Sequence, residues 1–174
     1  MILGVSQLSA QNYTKVKPTK EISLLIPEDF IVMDVGNQSL EYPSARQPIA
    51  MYTSPDRKVD LGINVNSSSW GSSNLEILKD FYYASILSLY DQVDFTKNEI
   101  IKVGKRDFIC FEFVGTVVDE DAVGAQKTLS RFVHIRYTLY NEKVLLFNYS
   151  CPGRIKDQWS DVASTILNSV VIKK

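Results

Sequence analysis

The chain has 174 residues, of which 45% are hydrophobic and 22% charged, proportions and a length typical of one globular domain. Lys and Arg number 19 against 20 Asp and Glu, which argues against a dedicated nucleic-acid-binding protein, because such affinity comes from a basic surface. No apolar run reaches the roughly 18 residues of a transmembrane helix. The chain has one His and two Cys, too few for a zinc finger or a His-rich metal centre. We therefore expect no metal and no cofactor.

The N-terminal segment resembles the end of a bacterial secretory signal peptide. Met1 to Ala10 carries no charged side chain and ends in a small residue, which suggests cleavage after Ala10. It has no basic n-region, and Ser6 and Gln7 interrupt its apolar part, so a cytoplasmic protein is the alternative. We expect an exported protein, periplasmic or secreted, with residues 1–20 as a lead-in and residues 21–174 as one α+β domain.

The first third of the chain predicts strands. Glu21 to Ile26 is an apolar strand that Pro27 ends. Pro48 to Thr53 and Val59 to Val65 predict a hairpin, because the second segment alternates apolar and polar residues. The connection Ser54 to Arg57 carries Pro and Asp, which favour turns.

Two segments have helical spacing. A capping box, Ser73-x-x-Glu76, predicts the start of a first helix running from about Asn74 to about Tyr90. Its apolar stripe comprises Leu75, Leu78, Tyr82, Ile86, Leu89 and Val93. Near the C terminus, a second amphipathic helix is indicated by Trp159, Val162, Ala163, Ile166, Leu167 and Val170.

Four further segments between the helices predict consecutive strands. They are Asn98 to Val103, Asp107 to Asp119, Thr128 to Tyr140 and Val144 to Tyr149. Neighbours joined by short connections must be antiparallel, because a parallel return needs a crossover of a dozen or more residues. The sequence therefore predicts an α+β fold, with an antiparallel sheet of about six to seven strands and two main helices in an α/β/α sandwich.

The segment Ile22-Ser-Leu-Leu-Ile-Pro-Glu-Asp-Phe30 is similar to the opening of the PsbP/Mog1/DcrB-like families. The order that follows resembles them too: a hairpin, a long helix, a meander of long strands and a C-terminal helix before Val170-Val171-Ile172. The resemblance spans Glu21 to Lys174. It implies a non-enzymatic fold whose members act as accessory subunits, small-GTPase partners or envelope proteins, and it carries over no binding residues.

Catalytic motifs are missing from the sequence, which has no nucleophile elbow, P-loop, H-E-x-x-H or dinucleotide fingerprint. His134 is the sole imidazole and shares the polar face of its strand with Arg136, so any nucleophile–His pair would use it. We favour a structural role with a neutral imidazole. For Cys110 and Cys151, buried inert thiols are favoured over a disulfide. We therefore predict no catalytic residues and no metal site.

Two features are candidate partner-binding sites. Trp70 lies among Ser and Gly in a loop, either folded onto the core or displayed as an aromatic anchor. Asp119, Glu120 and Asp121 form the densest acidic cluster, which lacks the calcium-loop pattern and suits a solvated hairpin tip or a docking patch.

The functional prediction is a non-enzymatic accessory or protein-binding domain of an exported bacterial protein. One alternative is a carrier that holds a small apolar ligand between sheet and helix. The other is a hydrolase that uses His134 with Arg136.

Overall fold

The structure, a computed structural model, describes residues 11–33, 47–66, 74–118 and 128–173. Two helices lie in these ranges, α1 (Leu75–Leu89) and α2 (Lys156–Asn168), the latter preceded by a 3-10 turn at Gly153–Ile155. The strands are β1 (Tyr13–Val16), β2 (Ile22–Pro27), β3 (Ile31–Val32), β4 (Ala50–Thr53), β5 (Asp60–Asn66), β6 (Gln92–Val103), β7 (Arg106–Val118), β8 (Thr128–Tyr140), β9 (Lys143–Pro152) and β10 (Val171–Ile172). Neither helix is long and apolar enough to cross a membrane.

Seven strands form one antiparallel sheet in the order β3-β4-β5-β9-β8-β7-β6. The predicted hairpin is confirmed, because β4 pairs with β5. Asn141 and Glu142 connect β8 to β9 with φ angles of 50° and 61°, the left-handed pair that a two-residue hairpin turn requires. A smaller sheet has the order β1-β2-β10.

The two helices cover opposite faces of the large sheet. On one face, Leu78 and Ile86 of α1 join a buried cluster with Ile109, Phe111 and Phe113 of β7. On the other face, α2 packs with β2 in a second cluster, and its buried side chains are Ala163, Ile166 and Leu167. The α+β sandwich fold predicted from the sequence is therefore confirmed.

Helix α1 has the predicted extent, but its cap differs from the prediction. Asn74 is the N-cap residue, and its side-chain oxygen accepts a hydrogen bond from the Glu76 N–H at 2.9 Å. Glu76 is then the second helical residue, whereas a capping box needs Glu at the third. The apolar stripe is also shorter than predicted, because Leu89 is 69% exposed and Val93 belongs to β6.

Two short strands near the ends of the described chain were not predicted, and one edge strand begins earlier than predicted. Tyr13–Val16, within the expected lead-in, forms β1 and pairs with β2. The apolar tail Val171–Ile172 pairs with the opposite edge of β2. Strand β6 begins at Gln92 rather than Asn98. Its extra residues alternate between exposed polar side chains and the half-buried Val93 and Phe95. The register shifts between Phe95 and Lys97, as is common on edge strands.

Candidate functional site

Both sites predicted to bind a partner lie outside the described residues. Trp70 falls in residues 67–73, between β5 and α1, and Asp119, Glu120 and Asp121 fall in residues 119–127, between β7 and β8. Their roles therefore stay predictions, and the structure places only the strands and the helix that flank them.

A buried polar cluster lies on the α2 side of the sheet. It consists of Cys110 and Glu112 of β7 with His134 and Arg136 of β8. The pairing register sets Cys110 opposite Arg136 and Glu112 opposite His134, so all four side chains point to one face. The exposed fractions of Glu112, His134 and Arg136 are 7%, 0% and 3%.

Glu112 is held as a carboxylate by two donors from β6. Lys97 Nζ donates to Glu112 Oε2 at 2.8 Å, and Thr96 Oγ1 donates to Glu112 Oε1 at 2.8 Å. Burial opposes ionisation, but these hydrogen bonds outweigh it and lower the pKa of Glu112.

His134 lies between Cys110 and Glu112. Its Nε2 atom is 3.4 Å from Cys110 Sγ, and its Nδ1 atom is 3.2 Å from Glu112 Oε2 but out of line for a hydrogen bond. Burial, and next the positive charge of Arg136, lower the pKa of His134 to about 3. The imidazole is therefore neutral near pH 7, in agreement with the prediction.

The arrangement of Cys110, His134 and Glu112 resembles a thiol–imidazole–carboxylate triad in its distances, but its electrostatics oppose catalysis. Burial raises the pKa of the Cys110 thiol, with Arg136 opposing that shift, whereas a nucleophilic cysteine needs a lowered pKa. The thiol and the carboxylate also contact different ring nitrogens of His134, so one metal ion could not bind all three groups.

Arg136 is buried with only part of its hydrogen-bonding capacity used. Its Nη2 atom donates to Asn168 Oδ1 of α2 at 2.8 Å. Within the described residues, Nε and Nη1 of Arg136 have no hydrogen-bond partner. Burial lowers the pKa of Arg136, with Cys110 and Glu112 opposing that shift, because burying a charge costs free energy unless its partners compensate it.

The two cysteines are free and buried, as the sequence favours. Cys110 lies opposite Arg136 and Cys151 lies opposite Phe132. These partners are four residues apart on β8, a separation of about 13 Å along a strand. A disulfide needs Cα atoms within about 7 Å, which the register does not allow.

Apolar side chains are exposed where β7 ends and β8 begins, at the Val118–Thr128 pair. We call this part of the sheet the hairpin end. The exposed fractions of Val117, Val118 and Leu129 are 38%, 42% and 64%, and Val117 pairs with Leu129. Asp91 Oδ2 accepts a hydrogen bond from the Val118 N–H at 2.7 Å, which sets a carboxylate beside this surface.

Sequence reasoning found half of the polar cluster. Alternation along β8 puts His134 and Arg136 on one face, but it does not show which residues of β7 lie beside them. Cys110 and Glu112 alternate with apolar residues in the same way, and only the register of β7 against β8 brings the two pairs together.

Comparison with known proteins gives structural matches only. No protein-family model and no curated protein matches the chain. Cyanobacterial PsbP (CyanoP) from Synechocystis sp. PCC 6803 is similar with a TM-score of 0.65 and 16% identity over 98% of each chain. LpqN of Mycobacterium tuberculosis, involved in cell envelope biogenesis, has a TM-score of 0.60 and 13% identity over 95% of this chain and 92% of its own.

The Saccharomyces cerevisiae Ran-binding protein Mog1p has a TM-score of 0.59 and 8% identity over 94% of this chain and 96% of its own. The chain has a PsbP/Mog1-like fold. The resemblance read from the sequence is thereby confirmed at the level of fold. At these identities the matches show no shared site, so the polar cluster and the hairpin end are described from this chain alone.

Proposed function

We propose that the chain is a non-enzymatic accessory domain that binds a protein partner through the hairpin end. The observation that carries this proposal is the set of three exposed apolar side chains, Val117, Val118 and Leu129. Val117 and its cross-strand neighbour Leu129 lie on one face of the sheet, and Val118 points to the other face. Exposed apolar surface on a folded domain is typical of a protein interaction site.

The negative charges around the hairpin end favour a particular kind of partner. Asp91 and Asp94 are exposed near the start of β6, and Asp94 lies opposite Val114 of β7. In sequence, Asp119, Glu120 and Asp121 follow Val118 directly. An apolar surface with an acidic border favours a partner segment that combines apolar residues with Lys or Arg.

The fold matches support the class of function without naming a partner. Mog1p is a Ran-binding protein, so this architecture is compatible with protein binding. LpqN is involved in cell envelope biogenesis, which, together with the cleavage pattern at Ala10, supports the proposal that this chain acts outside the cytoplasm. Fractionation of the native cells tests the location, and a mature N terminus at Gln11 would support export.

The non-enzymatic part of the proposal rests on the polar cluster. His134 and Cys110 are both fully buried, and neither has the pKa that general-base or nucleophilic chemistry needs near pH 7. An esterase activity that disappears in a folded His134→Gln variant would overturn this part and support the hydrolase alternative.

The binding proposal is tested by affinity capture of the tagged chain from its native cells with matched variants. Leu129→Ser removes an apolar side chain from the hairpin end. Val32→Ser is the control, because Val32 is 70% exposed on β3 at the far edge of the sheet. We expect one stoichiometric partner that Leu129→Ser loses and Val32→Ser retains. Retention by both variants, or loss by both, contradicts the proposed surface.

Two more variants test the residues predicted from sequence. Reversing the charge with Asp119→Lys and Asp121→Lys should weaken capture, and the remaining binding should depend less on salt, because exposed charges are screened within about 10 Å at 0.1 M salt. Trp70→Ala tests the second candidate independently. Unchanged capture by Trp70→Ala would exclude that residue from the interface.

A further inference from the structure

We propose a second binding site, for an amphiphile with one alkyl chain and a carboxylate or phosphate head group. It lies in a cavity of about 730 Å³ at the end of the sheet that carries the β6–β7 turn, away from the hairpin end. This volume is within the roughly 300–1,000 Å³ of small-molecule sites. The site is independent of the proposed protein-binding surface.

The cavity is formed where three segments of the chain meet. The β6–β7 turn forms one wall, with Gly104 in the left-handed conformation at a φ of 60°. The segment Val170 to Ile172, after α2, forms another wall, and Leu75 at the start of α1 also contributes. The cavity therefore lies at the sheet end rather than between sheet and helix, where the sequence suggested a carrier would hold its ligand.

The lining is mainly apolar. Val103, Phe108, Leu139, Val170 and Ile172 all face the cavity, and Phe108 and Val170 are themselves buried. The hydroxyl in this lining is already used, because Thr138 Oγ1 donates to the Asp107 carbonyl at 2.8 Å. An alkyl chain fits such a surface, because it forms no hydrogen bonds and its transfer out of water lowers the free energy.

The charged side chains of the lining favour an anionic head group. Lys105, Arg106 and Asp107 line the cavity, and Asp107 is offset by Lys102, whose Nζ lies 3.4 Å from Asp107 Oδ1. The local charge is therefore positive. Arg106 is also held in place, because its Nη1 donates to the Leu139 carbonyl at 2.7 Å, and its guanidinium lies 5.7 Å from the centre of the Tyr140 ring.

The test is calorimetric titration of the full chain with dodecanoate and with dodecyl phosphate, below their micelle concentrations. Dodecanol and dodecyltrimethylammonium are the controls with the same chain length. We expect one site per chain, with at least one anion bound about tenfold or more tightly than either control, because a charge-assisted hydrogen bond contributes roughly that factor. Comparison of the two anions distinguishes a carboxylate source from a phosphate source. Equal binding of anions and controls, or no binding of either anion, would overturn the proposal.

Two pairs of variants locate the site. Lys105→Glu should weaken binding of the anion about tenfold or more, whereas Lys143→Glu, an equal charge change at the exposed first residue of β9 and outside the lining, should not. Val171→Trp places a large side chain at the cavity wall and should abolish binding, whereas Val32→Trp should not. A far-ultraviolet spectrum for each variant checks that it is folded. If the members of either pair behave alike, the cavity is not the site.

Discussion

The two faces of the large sheet are both well buried, but they are built from different chemistry. On the α1 face, Phe111 and Phe113 pack with the rings of other aromatic residues, and Tyr82 of α1 stacks on Tyr137 with ring centres 3.9 Å apart. On the α2 face, the same two strands carry the polar cluster. Burial alone therefore does not measure stabilisation, because Nε and Nη1 of the buried Arg136 have no hydrogen-bond partner within the described residues.

We infer that the aromatic face supplies stability and that the polar cluster makes stability depend on pH. Aromatic pairs add to the free energy of burial, whereas a buried charge with incomplete partners costs free energy. Four measurements test this division, and the changes in stability we expect decrease in the order given.

Phe111→Ala should lower the free energy of unfolding by about 3–5 kcal/mol, because it removes a fully buried ring and leaves a cavity. Phe111 has no exposed surface and contacts the rings of Phe95 and Tyr137. Urea denaturation followed by tryptophan fluorescence measures the change. A loss below 1 kcal/mol would mean that the aromatic face is not the main source of stability.

Acidification should destabilise the protein through His134, the only histidine in the sequence. Its folded-state pKa of about 3 lies below the unfolded value of about 6.5, so the unfolded state binds the proton first as the pH falls. Stability is therefore lost progressively below pH 6.5, by about 2 kcal/mol between pH 7 and pH 5.

The control for this prediction is His134→Gln, which cannot titrate in that range. Its free energy of unfolding should change much less between pH 7 and pH 5 in the same urea series. Equal pH dependence of the two proteins would show that another group is responsible.

Gly115→Ala should cost about 1 kcal/mol, because an added methyl group meets the ring of Tyr90 on the aromatic face. A Cβ atom at Gly115 would lie 2.6 Å from two carbons of that ring. We expect a moderate cost because Tyr90 is only half-buried, so its ring can yield toward solvent. The free energy of unfolding measures the effect, and Gly62→Ala, whose Cβ would meet only the Asn64 side chain at 3.4 Å, is the control for adding a methyl group within a strand.

Arg136→Met should change the free energy of unfolding at pH 7 by less than about 1 kcal/mol, despite the burial of Arg136. It removes a costly buried charge and fills the space with apolar atoms, and its partner Asn168 is exposed and can bind water instead. The variant should also raise the pKa of His134, since the positive charge of Arg136 lowers it, and so reduce the loss of stability in acid. A loss of several kcal/mol at pH 7 would show that Arg136 is stabilising.

The sequence was sufficient to predict where the helices and the strands of the meander lie and which of their residues share a face. Thr128 to Tyr140 is a strand with the predicted ends, and helix α1 differs by one residue at each end. Local periodicity is sufficient here, because a helix or strand repeats its environment every few residues. The start of edge strand β6 was missed although Gln92 to Thr96 alternates polar and apolar residues, because Val93 also continues the helical spacing of α1.

Which residues become neighbours depends on how the strands pair and the helices pack. Glu112 and His134 are 22 positions apart in sequence and become neighbours through the register of β7 and β8. Strands β1 and β10 pair with the two edges of β2, and the cavity forms at the β6–β7 turn. Both features likewise bring together segments that are distant in sequence. The physical reason is that pairing register and packing are properties of the whole sheet, set by contacts between residues that local sequence patterns do not relate.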